Sequence, residues 1–234
     1  MPPRVILTAD GSHSIEIPDR GLTYHSLHGA LQESRHVFLE TGLLHWLASC
    51  PSDDPAGTAA AGPVAVFEMG LGTGLNALLT LLEAERLQRP VQYRALELHP
   101  LDPDQAAALN YCQLLGRGDL QDTFASLHRG AWERELPLTP WFTLHKTRAD
   151  LASWEPDQAA SLVYFDAFAP GDQPDLWTQE IFRKLYGMML PGGVLVTYCS
   201  KGAVRRALQA AGWQVEKRPG PPGKREIVRA LRPA

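Results

Sequence analysis

Val64-Ala65-Val66-Phe67-Glu68-Met69-Gly70-Leu71-Gly72-Thr73-Gly74-Leu75-Asn76 is the stretch whose reading decides the fold. An apolar, strand-like run ends in three alternating glycines and passes directly into Leu75-Asn76-Ala77-Leu78-Leu79-Thr80-Leu81-Leu82, which reads as a helix. Glycines allow the chain to bend sharply and a ligand to come close, and the free amides of a first helical turn offer a positive field. The stretch therefore predicts a strand, a tight turn and a helix with room for a cofactor. Two phosphate cradles are excluded by spacing. A dinucleotide fingerprint needs a glycine at the sixth position, where Leu75 stands, and a phosphate-gripping loop ends in Gly-Lys followed by Ser or Thr, which is absent. A glycine turn that serves packing alone is the remaining alternative.

Upstream, Pro51 to Pro63 is rich in Ala, Gly, Pro and Asp and reads as a loop. Before it, Val5-Ile6-Leu7 and Ile15-Glu16-Ile17 flank the turn pair Asp10-Gly11, a hairpin pattern, and Leu31 to Leu47 reads as a helix that Gly42 interrupts or bends. Downstream, strands are expected at Val91–Glu97, Trp141–Lys146, Ser161–Asp166 and Val194–Tyr198, with a final antiparallel pair at Trp213–Lys217 and Glu226–Leu231. Helices are expected at Pro103–Leu115, Leu120–Trp132, Asp175–Leu190 and Ala203–Ala211, and Pro191-Gly192-Gly193 reads as a turn. Alternating strands and helices call for a mostly parallel sheet covered on both faces. The division is an amino-terminal hairpin and helical extension over 1–50, a loop over 51–63 and the main α/β domain over 64–234.

The 234 residues are enough for one sizeable core, and 44% apolar with 21% charged residues is ordinary for a soluble globular protein; with no long uncharged apolar span or signal-peptide pattern visible, cytoplasm is the expected compartment. Cys50, Cys112 and Cys199 suggest neither a disulfide scaffold nor a zinc site, His25, His28 and His36 read as ordinary polar or partly buried side chains, and no metal is expected. The formal charge of -4 hides an asymmetry. From Lys201 to the end, nine Lys or Arg residues face only Glu216 and Glu226, so that end can meet a polyanion or simply form a solvated surface.

Glycines at the first, third and fifth positions, with Glu68 just upstream, look like the methionine-and-adenosine site of class I S-adenosylmethionine (SAM) methyltransferases. Gly70, Gly72, Gly74, Glu68 and Asn76 are thus cofactor candidates. Glu97, at the end of the next strand, is placed to accept hydrogen bonds from both ribose hydroxyls. Asp150, past a further strand, is placed for the adenine amino group or for capping a helical turn. Asp166 is the catalytic candidate, aimed by its apolar strand at the carboxyl end of the sheet. Phe168 either stacks on a planar substrate or anchors the core, and Trp177 either borders that pocket or packs.

Glu68 to Asn76, Asp166-Ala167-Phe168-Ala169-Pro170, Trp177-Thr178, Pro191-Gly192-Gly193 and Lys224-Arg225-Glu226 together resemble the methyltransferase family acting on 5-aminomethyluridine derivatives at the tRNA wobble position. Tyr24-His25-Ser26, Gly29-Ala30, Glu33 and Val37-Phe38-Leu39 fit the same family, and the resemblance spans about residues 8 to 231. It implies a Rossmann-like class I fold with a seven-stranded, mostly parallel sheet and an antiparallel carboxyl-terminal strand. It further implies methyl transfer from SAM to the primary amine of 5-aminomethyluridine or its 2-thio form, leaving S-adenosylhomocysteine. Some members carry a second, FAD-dependent oxidase domain. The present chain resembles the stand-alone methylating form, so FAD is not expected, nor a separate protein partner, nor a membrane. Contacts to the tRNA anticodon region fall to Arg205, Arg206, Lys217, Arg218, Lys224 and Arg225, with Phe168 and Trp177 beside the base. One departure stands out: Asp172-Gln173 replaces the Lys-Asn pair often found there, which should weaken local phosphate attraction. A SAM enzyme for a small amine and a non-catalytic SAM-binding protein are the alternatives.

Overall fold

The computed structural model describes residues 1–49 and 62–233; the predicted loop at 51–63 and Cys50 lie largely outside the described residues. A small three-stranded sheet comes first, from β1 (Arg4–Leu7), β2 (His13–Ile17) and β3 (Leu22–Thr23). β1 and β2 pair antiparallel from Arg4 opposite Glu16 to Leu7 opposite His13, which is the hairpin expected from Asp10-Gly11. The two-residue β3 is too short to carry a period-2 signal.

The next helix is continuous but changes pitch: α1 (Ala30–Ser34), a π-helical stretch over Arg35–Leu44, then α2 (His45–Ser49). Gly42 neither breaks nor ends it. A Cβ at Gly42 would lie 3.0 Å from Val196 Cγ2 and 3.4 Å from Tyr164, so the missing side chain lets the helix seat closely on the main sheet. Val37, Phe38 and Leu43 are buried there.

The main sheet is built from β4 (Val64–Met69), β5 (Val91–Leu96), β6 (Glu135–Thr139), β7 (Phe142–Thr147), β8 (Ala160–Phe165), β9 (Met189–Thr197), β10 (Gln214–Pro219) and β11 (Glu226–Leu231). Their spatial order is β10-β11-β9-β8-β4-β5-β7-β6. β4 pairs parallel with both β5 and β8, β5 with β7 and β8 with β9, while β6, β10 and β11 pair antiparallel at the two margins. The sheet thus has eight strands where seven were expected. The extra one, β6, contains Pro137, where the register against β7 shifts; proline is tolerated only at an edge or bulge, so its sequence does not advertise a strand. Pro191-Gly192-Gly193 also differs from expectation, lying inside β9 with Gly192 at φ +74° and a register shift against β8.

Helices cover both faces. α3 (Leu75–Leu87), α6 (Gln121–Arg129) and the π-helical stretch pack on one, and α7 (Gln179–Met188) and α8 (Gly202–Ala210) on the other. Strand alternation sorts the residues between them: Val66, Leu162 and Tyr164 face the first layer, Phe67, Val163 and Phe165 the second. The single helix expected over 103–115 is two short ones, α4 (Pro103–Ala107) and α5 (Tyr111–Leu114). Asn110 between them accepts from His13 N–H at 2.8 Å and donates to Gly11 O at 2.9 Å, so it ties the hairpin to the main body instead of continuing a helix. α7 begins at Gln179, later than expected, because Thr178 caps it through Ile181 N–H.

Candidate active site

β4 is the strand from which the chain first builds outward to β5 and β7 and then returns to the other side as β8. At such a switch point the loops at the strand carboxyl ends diverge and leave a crevice. The glycine turn lies on its floor. Gly70, Gly72 and Gly74 have φ of +90°, +51° and +75°. A Cβ would stand 3.0 Å from Asp166 O at Gly70, 3.0 Å from Tyr24 Cδ1 at Gly72 and 2.9 Å from His128 Nε2 at Gly74. Conformation and crowding each demand glycine at these positions. Between the last two, Thr73 is held from both sides: its hydroxyl meets His25 Nε2 at 2.6 Å, and its carbonyl accepts from His128 Nε2 at 3.1 Å. Burial lowers both imidazoles to about 4, so they hold the loop as neutral rings near pH 7.

Above the turn is a cavity of about 600 Å³, lined by residues 21–26, the glycine loop, the strand-end loops and Lys224. Glu97, one residue past β5, turns its carboxylate into one end of it. Oε1 accepts His99 N–H at 2.8 Å and Oε2 accepts Gly72 N–H at 3.1 Å. Burial raises its pKa while these amides oppose the rise. Asp150 also lines the cavity, and its Oδ1 accepts Ala152 N–H at 2.9 Å, which caps the turn that follows it. Tyr24 covers Gly72, and burial followed by the nearby Glu97 charge pushes its phenol up to about 12.

Asp166 directly follows β8, whose residues 160–165 are all buried, so its backbone is fixed by the core; its N–H donates to Met69 O at 3.1 Å. Asn76, in the first turn of α3, donates from Nδ2 to Asp166 Oδ2 at 2.8 Å and to Glu68 Oε1 at 2.9 Å. Asn76 therefore links the catalytic candidate to a carboxyl sealed inside the sheet. Burial drives Glu68 well above the ordinary carboxyl range, with the Asn76 hydrogen bond opposing it. Asp166 is raised to about 7, by burial first and then by the charge of Glu33, while Asn76 and Lys224 oppose the rise. Carboxylic acid and carboxylate forms are thus both accessible near neutrality.

Glu33 and Tyr198 reach the same end of the cavity. The Glu33 carboxylate accepts Ser26 N–H at 3.0 Å and pairs with Lys224 Nζ, which also sits 3.9 Å from the centre of the Tyr198 ring. The Tyr198 hydroxyl donates to Ala167 O at 2.9 Å. Phe168 lines the cavity beside Tyr24, with ring centres 5.3 Å apart in an edge-to-face arrangement.

The structure brings Gly70, Gly72, Asn76, Glu97, Asp150, Asp166, Phe168 and Lys224 to one cavity wall, while Gly74 supports it from below and Glu68 lies behind. Three expectations change. Trp177 is buried behind the wall: it packs edge-on to Phe165 at 4.9 Å, and its indole N–H donates to Phe168 O at 2.8 Å. It therefore supports the loop and does not line the cavity. Lys224 is turned inward onto Glu33, not outward to phosphates. Lys217 is paired with Glu226 at 2.6 Å, whereas Arg206, Arg218 and Arg225 are exposed and Arg205 donates to Ser200 O at 3.3 Å. Among the described residues, no group of three His, Cys, Asp or Glu side chains is placed to hold a metal ion, and no helix is long and apolar enough to cross a membrane. Tyr24, His25 and Glu33 entered the sequence reading only through the family resemblance, with no role attached, and Tyr198 only as the end of a strand, because their place in the site comes from residues distant in the chain.

Residues 133–233 match the sequence model of an S-adenosyl-L-methionine-dependent methyltransferase family. The crystal structure of MNMC2 from Aquifex aeolicus superposes with a TM-score of 0.77 at 21% identity, covering 98% of this chain and 69% of that one. With the glycine turn at the sheet's switch point, these define the class: the fold is that of the Rossmann-like, class I SAM-dependent methyltransferases. Within that class it resembles the tRNA 5-methylaminomethyl-2-thiouridine biosynthesis bifunctional proteins MnmC. It is 35% identical over 227 residues to that of Caulobacter sp. strain K31, covering 91% of this chain and 36% of the relative. It is 31% identical over 245 residues to that of Cupriavidus metallidurans, covering 97% of this chain and 33% of the relative. The chain spans about a third of the length of the curated relatives it matches.

Proposed function

We propose that this chain methylates the primary amine of 5-aminomethyluridine or 5-aminomethyl-2-thiouridine at the tRNA wobble position, using SAM and releasing S-adenosylhomocysteine. The observation that carries the proposal is one cavity with two chemically distinct ends. Positive-φ glycines, the Glu97 carboxylate and the Tyr24 ring stand at one, and Asp166, Glu33 and the Phe168 and Tyr198 rings at the other. The acceptor class is supported by the names of the MnmC relatives.

The residues fit SAM. Gly70 and Gly72 line the cavity with bare backbone, first-turn amides of α3 suit an anionic group, Glu97 suits ribose hydroxyls, and Asp150 suits an adenine amino group. Bound there, SAM supplies an electrophilic methyl carbon on a positively charged sulfonium. Everything else falls to the protein. Tyr24 and residues 21–26 cover the cavity and exclude water. Phe168 and Tyr24 offer faces to a uracil ring turned out of the anticodon stack, a rearrangement that costs less in a loop than in a duplex. Asp166, held by Asn76, orients the amine and accepts its proton directly or through one water. Arg205, Arg206, Arg218 and Arg225 serve the anticodon-region phosphates, and a tRNA substrate places the work in the cytoplasm.

Incubation with methyl-labelled SAM tests the proposal against three acceptors: tRNA bearing 5-aminomethyluridine, the same tRNA without the aminomethyl group, and free alkylamines. Label entering only the first supports it. Label entering free amines at equal efficiency would replace tRNA with a small-molecule acceptor.

A further inference from the structure

Among the described residues, Lys224 is the one Lys or Arg that lines the cavity, and its place there follows from the fold. It lies in the loop between β10 and β11, 191 positions from its partner Glu33 on α1. The Glu33 side chain is 8% exposed and that of Lys224 27%, so the pair is largely withdrawn from water. Two further contacts fix it: Ser26 N–H on the second Glu33 oxygen and the Tyr198 ring beneath the ammonium. Carboxylate and aromatic face together form a site for an alkylammonium ion, and a side chain of this protein already fills it.

The chemistry of the proposed acceptor makes that significant. An alkylamine is ordinarily protonated up to about pH 10, with lysine as the guide. Its nitrogen can attack carbon only as the neutral base. The lone pair then forms the C–N bond as the donor's C–S bond breaks and leaves its electron pair on sulfur. The resulting secondary ammonium gives one proton to Asp166 or water. A pocket with two bare carboxylates, Asp166 and Glu33, would instead hold the amine in its charged, inert form.

Given the acceptor proposed above, we propose that Lys224 is a built-in counter-ion: by occupying Glu33 it prevents that carboxylate from trapping the substrate as ammonium. The acceptor amine then meets the methyl donor as the free base. Lys224 is on this account a positioning residue that sets charge balance, not a contact to RNA phosphate.

The surrounding groups leave few other candidates for such control. Glu33 faces Lys224 from α1, His25 from the segment before it, Asp166 from the loop after β8, and Tyr198 and Cys199 from the end of β9. Burial holds His25 neutral near pH 7 and pushes both Cys199 and Tyr198 upward, so those three carry no charge there. Arg225, next in the chain, is exposed. Asp172, further along the loop after β8, also lines the cavity and acts on Tyr198, and Lys201 acts on Cys199 from the start of α8; both are common to every variant below, so Glu33, Asp166 and Lys224 remain the charges that differ in their balance.

The test is the pH dependence of kcat with saturating aminomethylated tRNA and SAM, for wild type, K224M, K224R, E33Q and E33Q/K224M. In K224M the acid limb should move up by about one pH unit, with turnover recovering towards wild type in alkali. K224R should keep the wild-type position, E33Q should move the limb down, and E33Q/K224M should return it, since both members of the pair are then neutral. Thermal unfolding of each variant identifies any that fails to fold, and the opposite shift in E33Q stands without K224M. A uniform loss at every pH with an unmoved limb, in K224M and E33Q alike, would overturn the counter-ion role and leave a structural one. Absence of methyl transfer by wild type would instead remove the acceptor reading, and this inference with it.

Discussion

Asp166 is the residue on which chemistry and stability pull apart. Its carboxyl belongs to the wall of a partly dry cavity, and its pKa is raised from the ordinary 3.8 to about 7. The folded protein therefore binds this proton more tightly than the unfolded chain does. That contribution to stability is complete below about pH 4 and is lost as pH rises through 7. Asp166→Asn removes the cost of a buried charge while retaining a carbonyl to accept from Asn76. The variant is expected to be more stable than wild type at pH 8 by on the order of 2 kcal/mol, with the gain vanishing near pH 4, as denaturant unfolding at the two pH values would measure. His25 and His128, both lowered to about 4, contribute oppositely, but they are common to both proteins and cancel in the difference. Methyl transfer by the same variant should fall by on the order of 100-fold with SAM affinity little changed. Equal turnover would remove Asp166 from the chemistry.

The residues legible in the sequence were those whose position follows from one local element. Glu97 and Asp166 each end an apolar strand, and the glycines end another, so the rule that ligands bind at strand carboxyl ends finds them. Glu33 and Lys224 became partners only through the whole fold. For Trp177 the sequence left open whether it borders the pocket or packs; its indole N–H needs a buried acceptor and finds one in Phe168 O, so it packs.

At the scale of elements, strands with unbroken apolar alternation were readable and irregular ones were not. β6 carries Pro137 and β9 runs through Pro191-Gly192-Gly193; in both, residues that usually punctuate a chain are absorbed by a bulge. The helix over residues 30–49 is a further case, because Gly42 reads locally as a breaker while its tertiary role is close approach to β8 and β9. Two opposed magnitudes decide its mutation. Replacing a helical glycine gains about 1 kcal/mol in propensity, while overpacking costs about 1–3 kcal/mol. Gly42→Leu extends well beyond a Cβ already 3.0 Å from Val196, so overpacking should prevail, and the variant should unfold at lower denaturant concentration than wild type. A higher midpoint would mean that the π-helical stretch has slack against the sheet.

For the whole molecule, net charge is a poor guide and the distribution of unpaired charge a better one. Of nine basic residues after position 200, Lys217, Lys224 and Arg229 are held by Glu226, Glu33 and Glu216, and Arg232 donates to the carbonyls of Tyr186 and Met189. Lys201, Arg206, Arg218 and Arg225 are exposed, just before and within α8, in β10 and in the β10–β11 loop. The Glu226 carboxyl is held low mainly by the hydrogen bond from Lys217, with Arg225 and Arg205 adding to it, which places these cations in one neighbourhood. If that face meets tRNA, Arg206→Ala with Arg225→Ala should weaken binding and reduce the slope of log affinity against log salt by about 1.5. An unchanged slope would place the RNA elsewhere. The sequence revealed the basic end, but only the fold separates cations committed to internal pairs from those that face solvent.

The account depends most on which atom receives the methyl group. The direct measurement is mass analysis of the wobble nucleoside recovered from aminomethylated tRNA after reaction with SAM and this protein. A gain of one methyl on the 5-aminomethyl nitrogen of that nucleoside, with every other nucleoside unchanged, is the predicted result. A methyl group found on another nucleoside, or none on tRNA while the folded protein binds SAM, would contradict it.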